Sequence, residues 1–225
     1  MTELAERRTR LMTRIAETAA GRPVQLLAVS KQQDAVSIRA LVTCGQRAFG
    51  ENYVQEALAK MRELALPEIE WHLIGPLQSN KCREVAEHFD WVQSVDREKL
   101  VPLLARYRPA GRIALNVLIQ VNIDQEDSKS GCPPEHVAAL ATAIAACPSL
   151  CLRGLMAIPA PLAELAARRS AFQRMRVLFE QLKASHPQVD TLSMGMSDDY
   201  LLAIEEGANL VRIGSALFGR RGPSA

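Results

Sequence analysis

The chain has 225 residues, 48% of them hydrophobic, and a formal net charge of +2. That is length enough for one α/β barrel, with no excess charge to draw nucleic acid or an anionic membrane. Five cysteines, Cys44, Cys82, Cys132, Cys147 and Cys151, are odd in number and form no Cys-x-x-Cys pair, so neither a zinc or other metal site nor a secreted disulfide framework is expected, and the natural setting is a reduced cytoplasm.

Charged residues crowd the first ten positions, and Leu4, Leu11, Met12 and Ile15 fall on a roughly helical period, which predicts an amphipathic helix and not a signal peptide. Pro23 leads into the first strand, which ends on Ser30 and Lys31. Asp34 is placed to cap a helix carrying Val36, Ala40, Leu41 and Cys44, and Gly45 to end it. Arg47 to Gly50 reads as a second strand, and Val54, Ala57, Leu58, Met61 and Ala65 as the apolar side of a helix. A third strand, Glu70 to Ile74, closes on Gly75-Pro76 and is followed by a helix from Asn80 to His88.

The alternation continues. A strand at Trp91 to Val95 precedes a helix from Arg97 with Leu100, Leu103 and Leu104 on one face, and Ala114 to Ile123 is a longer strand followed by a polar loop, Asp124 to Pro134. The segment from His136 to Leu152 carries no carboxylate, lysine or arginine, but Cys147-Pro148-Ser149 breaks it into a helix, Glu135 to Ala146, and a sixth strand, Leu150 to Ile158, so no membrane span is expected. Pro159-Ala-Pro161 opens a long helix with Leu165, Phe172, Met175, Phe179 and Leu182 inward and Arg168, Arg169, Arg174 and Arg176 on its solvated face. Thr191 to Ser193, a helix from Asp198 to Glu206 ended by Gly207, Leu210 to Ile213, and a short helix from Ser215 complete the pattern. Apolar runs instead of strict alternation mark parallel strands covered by helices. The expected fold is therefore α/β: a single (β/α)8 TIM barrel with one extra N-terminal helix, residues 1–225 forming one domain.

Lys31 is the residue this pattern makes conspicuous. A buried strand that ends on an ammonium strips it of hydration and favours the neutral amine, the form that attacks aldehydes; the alternative is a lysine that only marks where the chain surfaces. Barrels build their sites at the carboxyl ends of the strands, with phosphate often bound after strands seven and eight. Both of those loops suit an anion here: Met194-Gly195-Met196-Ser197 precedes one helix, and Arg212-Ile213-Gly214-Ser215 leads into another. Taken singly, Ser197 also reads as a helix N-cap, with Asp198 and Asp199 favouring the same helix end, and Gly214 as a turn glycine. An amine facing two such loops across a barrel mouth suits a phosphorylated aldehyde.

These stretches resemble the YggS/PROSC family of pyridoxal phosphate homeostasis proteins along nearly the whole chain. The resemblance is carried by Ala28-Val29-Ser30-Lys31, by Phe49-Gly50-Glu51-Asn52-Tyr53-Val54-Gln55-Glu56 and by the run from Trp71 to Lys81. Val121-Asn122-Ile123 with Glu126, Ser128-Lys129 and Gly131-Cys132 add to it, as do Gly154 to Pro159, Ser193 to Ser197 with Asp199, and Val211 to Gly214 through Phe218-Gly219. It implies a barrel of the fold-type III pyridoxal phosphate enzymes, alanine racemase included. It further implies pyridoxal 5′-phosphate as an internal aldimine on Lys31, Ser197, Gly214 and Ser215 around the phosphate, and Arg212 beside the pyridine nitrogen. A guanidinium there keeps that nitrogen unprotonated and the ring a weak electron sink. One departure is visible: the family usually follows its lysine with small or hydroxyl residues and a proline, whereas Gln32-Gln33-Asp34 follow here.

By the same resemblance Asn52 lines the cofactor edge, unless it serves as a helix cap. Of Trp71 and His72 one faces the barrel interior, so His72 is either a residue of the mouth or a structural histidine. Met156 either packs or touches the ring, and Lys129 is either a solvated loop charge or a gate. The implied role is cofactor and amino-acid homeostasis, with pyridoxal phosphate-dependent apoenzymes as recipients, in a monomer or weak dimer without robust catalysis. Two rivals share the site: an amino-acid racemase or decarboxylase, for which this chain is expected to lack the additional domain, and a Schiff-base phosphosugar enzyme, which would leave Arg212 without a pyridine.

Overall fold

The computed structural model describes residues 3–126, 129–159 and 164–219. The apolar runs form the strands β1 (Gln25–Val29), β2 (Ala48–Glu51), β3 (Glu70–Leu73), β4 (Trp91–Val95), β5 (Leu115–Val121), β6 (Leu150–Ala157), β7 (Thr191–Ser193) and β8 (Leu210–Ile213). Each pairs in parallel with the next, and β8 pairs with β1 to close the eight-stranded barrel, with Leu26 opposite Val211 and Leu27 opposite Arg212. Closure leaves no edge strand to be blunted.

Helices cover the outside: α1 (Glu3–Ala19) ahead of the repeat, then α2 (Ala35–Thr43), α3 (Val54–Leu64), α4 (Cys82–His88), α5 (Leu100–Tyr107), α6 (Val137–Ala145), α7 (Leu165–Ser185), α8 (Tyr200–Glu205) and α9 (Ser215–Phe218). Local chemistry sets several ends. The Asp34 carboxylate accepts from the Ser37 N–H at 2.7 Å and caps α2, while Gly45, at φ +86°, ends it. Four helices start later than the sequence suggests: α4 at Cys82 behind a 3₁₀ turn over Ser79–Lys81, α5 at Leu100 instead of Arg97, α6 at Val137 behind a 3₁₀ turn over Pro134–His136, and α8 at Tyr200 instead of Asp198. Pro161, expected to open α7, lies outside the described residues. On that helix Arg169 pairs with Glu205 and Glu206, and Arg174 with Asp124, so two of the arginines expected on a solvated face instead tie α7 to its neighbours.

The core has two layers. One large cluster, with Phe49, Phe89, Phe172 and Leu41 fully buried, fills the shell between strands and helices; each such side chain contributes about 1.5–3 kcal/mol. Two small clusters, Leu27 with Ala48, Ile74 and Leu210, and Trp91 with Leu118 and Met156, fill the barrel interior. A bulge in β6 shapes this inner layer. The register slips between Val117 and Leu118, so Arg153 and Met156 both face inward although three residues apart, Arg153 against the Trp91 ring and Asn116. The bulge depends on Gly154, whose φ is +149° and whose added Cβ would lie 1.9 Å from the Thr191 carbonyl oxygen.

Gly154→Ala is therefore expected to cost roughly 2–4 kcal/mol, measured as the loss of unfolding free energy in urea.

Candidate functional site

Parallel strands bring all their carboxyl ends to one mouth, where a cavity of about 600 Å³ opens. Lys31, Asn52, Ser197, Arg212, Gly214 and Ser215 line it, together with an apolar wall of Val29, Ile74, Ile158 and Met196. A larger hollow of about 770 Å³ lies outside the barrel between α7 and the loop after β5, away from these residues. The mouth cavity joins the carboxyl ends of six strands, β1, β2, β3, β6, β7 and β8, which the outer hollow does not.

Lys31 stands in a tight turn. The Gln33 N–H donates to the Ser30 carbonyl at 3.0 Å, and Gln32 takes a left-handed φ of +58°, the geometry of a type II turn. Gln32-Gln33-Asp34 follow the lysine here, and the turn is braced from below. Lys60 on α3, 7% exposed, donates to the Ser30 carbonyl at 2.7 Å, to Glu51 at 2.8 Å and to Glu56 at 2.7 Å. Ser30 also donates to Glu51, and Glu56 accepts from the Gln32 N–H. Burial pushes the Glu51 carboxyl up, against the pull of Lys60 and Ser30; its second oxygen is buried without a partner among the described residues. Lys31 itself is only half-buried, so the desolvation expected from sequence is partial.

The two anion loops form one unit. The Ser197 hydroxyl accepts from the Ala216 N–H at 3.3 Å, so it serves the first turn of α9 and does not cap the helix of its own loop. Asp199 turns back to accept from the Met196 N–H at 2.7 Å. The backbone N–H groups of Ser197, Asp198 and Ser215 find no acceptor among the described residues. A Cβ on Gly214 would meet no atom of the protein closer than 3.6 Å, so packing against the protein does not demand glycine there. Asn52 also fails as a cap: α3 begins after Tyr53, and the Asn52 backbone instead receives Gly75, where a Cβ would lie 2.1 Å from the Asn52 carbonyl oxygen.

Arg212 forms the buried floor at 3% exposure. It donates to the Ser193 hydroxyl at 2.8 Å and to the Ala157 carbonyl at 2.7 Å, with no carboxylate at ion-pairing distance among the described residues. Burial lowers its pKa to about 10, which still leaves it charged at neutral pH. His72 and Met156 do not reach the cavity wall. Both are fully buried inside the barrel, His72 stacked on Trp91 with centroids 5.1 Å apart and Met156 packed on the same tryptophan. His72 faces inward because Trp71 takes the outer side against Phe49. Its Nδ1 accepts from Gln93 at 2.9 Å and its Nε2 meets Glu70 at 2.8 Å, partners that assign the neutral Nε2–H tautomer. Gln93 and Ser193 were not visible as site residues; the signal for each was a polar side chain in a buried strand, Gln93 beside Ser94 in β4 and Ser193 two positions after Thr191 in β7. Lys129 reaches the Ile158 carbonyl at 3.5 Å and Glu126 at 3.6 Å, while its matched neighbour Ser128 lies outside the described residues.

The whole arrangement fits a phosphorylated pyridine aldehyde: an amine, hydroxyls and free N–H groups for an anion, an apolar wall for a ring, and a buried cation in need of an acceptor. The alanine racemase N-terminal domain family matches residues 8–222. A pyridoxal phosphate homeostasis protein of Pseudomonas aeruginosa is 54% identical, covering 98% of this chain and 97% of its own. Its counterpart in Escherichia coli is 51% identical over 92% of this chain and 91% of its own. The structure of PipY from Synechococcus elongatus with pyridoxal phosphate bound superposes with a TM-score of 0.84 at 40% identity, covering 96% of this chain and 100% of that one.

Two outcomes follow from the buried charges. Burial depresses His72 in the fold, so the unfolded chain takes up its proton at higher pH and acid favours unfolding. Below about pH 6.5 this group should remove up to about 1.4 kcal/mol of stability per pH unit until the folded pKa is passed; by urea unfolding across pH 5 to 7 the slope should be absent from His72→Gln and so appear as the difference between wild type and variant. Lys60→Met, which strands two carboxylates beneath the lysine turn, is expected to cost roughly 3–5 kcal/mol in the same assay.

Proposed function

We propose, from the premise that this chain belongs to the alanine racemase N-terminal domain family and, within it, to the pyridoxal phosphate homeostasis proteins, that it binds pyridoxal 5′-phosphate as a Schiff base on Lys31. The observation that carries the reading is the meeting of Lys31, Arg212 and the two anion loops around one cavity. When bound, the cofactor supplies an aldehyde that takes up and gives back amines reversibly. Lys31 holds that carbon; the Ser197 and Ser215 hydroxyls, with Gly214 leaving room beside them, hold the phosphate; and Asn52 lines the ring's edge. Arg212 faces the pyridine nitrogen and, being a cation that cannot accept a proton, keeps it unprotonated. Met156 and His72 act from beneath the floor.

Holding and releasing suit this wall better than turnover does. Among the described residues Lys31 is the one amine on it, and Asp198 the one carboxylate. The role proposed is therefore buffering of the cofactor for amino-acid metabolism and delivery to pyridoxal phosphate-dependent apoenzymes by a monomer or weak dimer. A reduced cytoplasm is the proposed setting, supported by five cysteines that all stand free; no described helix is long and apolar enough to cross a membrane.

Addition of pyridoxal 5′-phosphate to the purified protein should give a near-visible absorbance, and borohydride reduction followed by peptide mapping should leave the label on Lys31. Lys31→Ala should lose both signals. A label on another lysine of the wild-type protein would refute the assignment.

A further inference from the structure

Arg212 is one end of a directed chain of hydrogen bonds that crosses the barrel. Its Nη1 donates to the Ser193 hydroxyl at 2.8 Å, Ser193 donates to Gln93 Oε1 at 2.7 Å, and Gln93 Nε2 donates to His72 Nδ1 at 2.9 Å. His72 Nε2 then donates to Glu70 Oε1 at 2.8 Å. Strands β4 and β7 are not neighbours, so Gln93 and Ser193 meet only through the interior. Every link points the same way: a cation that can only donate stands at the mouth, and a carboxylate that can only accept stands at the opposite end, where Glu70 is 38% exposed. Ser193, Gln93 and His72 are each 0% exposed, so water cannot mend a broken link.

We propose that Ser193, Gln93 and His72 are positioning residues for the cofactor, a relay that fixes Arg212 against the ring and tunes its hydrogen bonding from Glu70 at the far end of the barrel. This rests on the reading of Lys31 and Arg212 given above. The physical basis is twofold. Successive hydrogen bonds polarise one another in a low-dielectric interior, so the negative charge on Glu70 strengthens Ser193 as an acceptor for the guanidinium. A floor fixed before binding also spares the ordering cost at binding. The charged groups that face the relay are Asp90 and Glu70 toward His72, Asp199 toward Arg212, and Arg153 toward Glu70. A set of side chains that merely filled space would show no dependence of one link on another.

The test is titration of the purified full-length chain with pyridoxal 5′-phosphate, reading the dissociation constant and the absorbance of the bound cofactor in wild type, Ser193→Ala, His72→Leu, their double variant and Glu70→Gln. Ser193→Ala and His72→Leu are each expected to weaken binding about tenfold and to shift the absorbance in one direction. Because both cut the same chain, the double variant should match the weaker-binding single instead of reaching about a hundredfold. Glu70→Gln keeps an acceptor for His72 and removes only the charge, and should shift the absorbance the same way. Multiplying effects, or readings for Ser193→Ala and Glu70→Gln both within about twofold of wild type, would overturn the relay. Should His72→Leu not fold, Ser193→Ala with Glu70→Gln forms the same cycle under the same criterion. Borohydride labelling of the wild type separates the two claims: no label on Lys31 sinks the functional reading and the relay with it, whereas a labelled Lys31 with multiplying effects sinks the relay alone.

Discussion

Arg212 gives two donors to neutral partners, the Ser193 hydroxyl and the Ala157 carbonyl, and sits at 3% exposure. A cation so placed is costly unless its donors are met and some negative charge lies within reach. The barrel supplies the first condition from β6 and β7 and part of the second from Asp199, and leaves the rest to what enters the mouth and to the distant carboxylate of Glu70. Much of the inner layer follows from that need. Polar side chains thread between two apolar clusters, and the bulge at Gly154 turns Met156 inward beside Trp91.

The amine side of the site is solved differently. Lys31 owes its place to a turn whose third residue is left-handed, a conformation that costs a non-glycine residue of order 1 kcal/mol or more. The cost is offset by Lys60 and Glu56, which grip the backbone at Ser30 and Gln32 from under the turn, and by Glu51, which accepts from the Ser30 hydroxyl and pairs with Lys60. One half of the mouth is thus held by buried ions, the other by neutral hydrogen bonds such as that between Ser197 and Ala216.

The strands were legible because buried parallel strands write themselves as apolar runs, and the cavity residues because barrel geometry dictates which loops meet. What escaped was every interaction whose partner is remote in sequence. Ser197 and Asn52 both look like helix caps to a local reading, yet the hydroxyl of Ser197 is claimed by an N–H nineteen positions on, and Asn52 is displaced from the cap by Tyr53. Lys60 looks like one more surface lysine on an amphipathic helix, and only the fold turns it toward Glu51. Gln93 and Ser193 lie a hundred positions apart, and no periodicity links them. The direction of His72 was undecidable from alternation alone, since Trp71 and His72 are equally plausible as the inward residue.

The seams of the barrel are unequal. The chain's two ends meet along four register pairs between β1 and β8, whereas β7 and β8, consecutive in the chain, share only Ser193 opposite Leu210. The staves are therefore most loosely joined directly beneath the two anion loops, and the joint is reinforced by side-chain and loop contacts: Arg212 to Ser193, the Arg212 N–H to the Gly195 carbonyl, and Ser197 to Ala216. Local opening concentrates where ladder bonds are few. An anion that engages both loops would act as a clasp across that joint, so that seating the ligand and hooping the barrel shut become a single mechanical event.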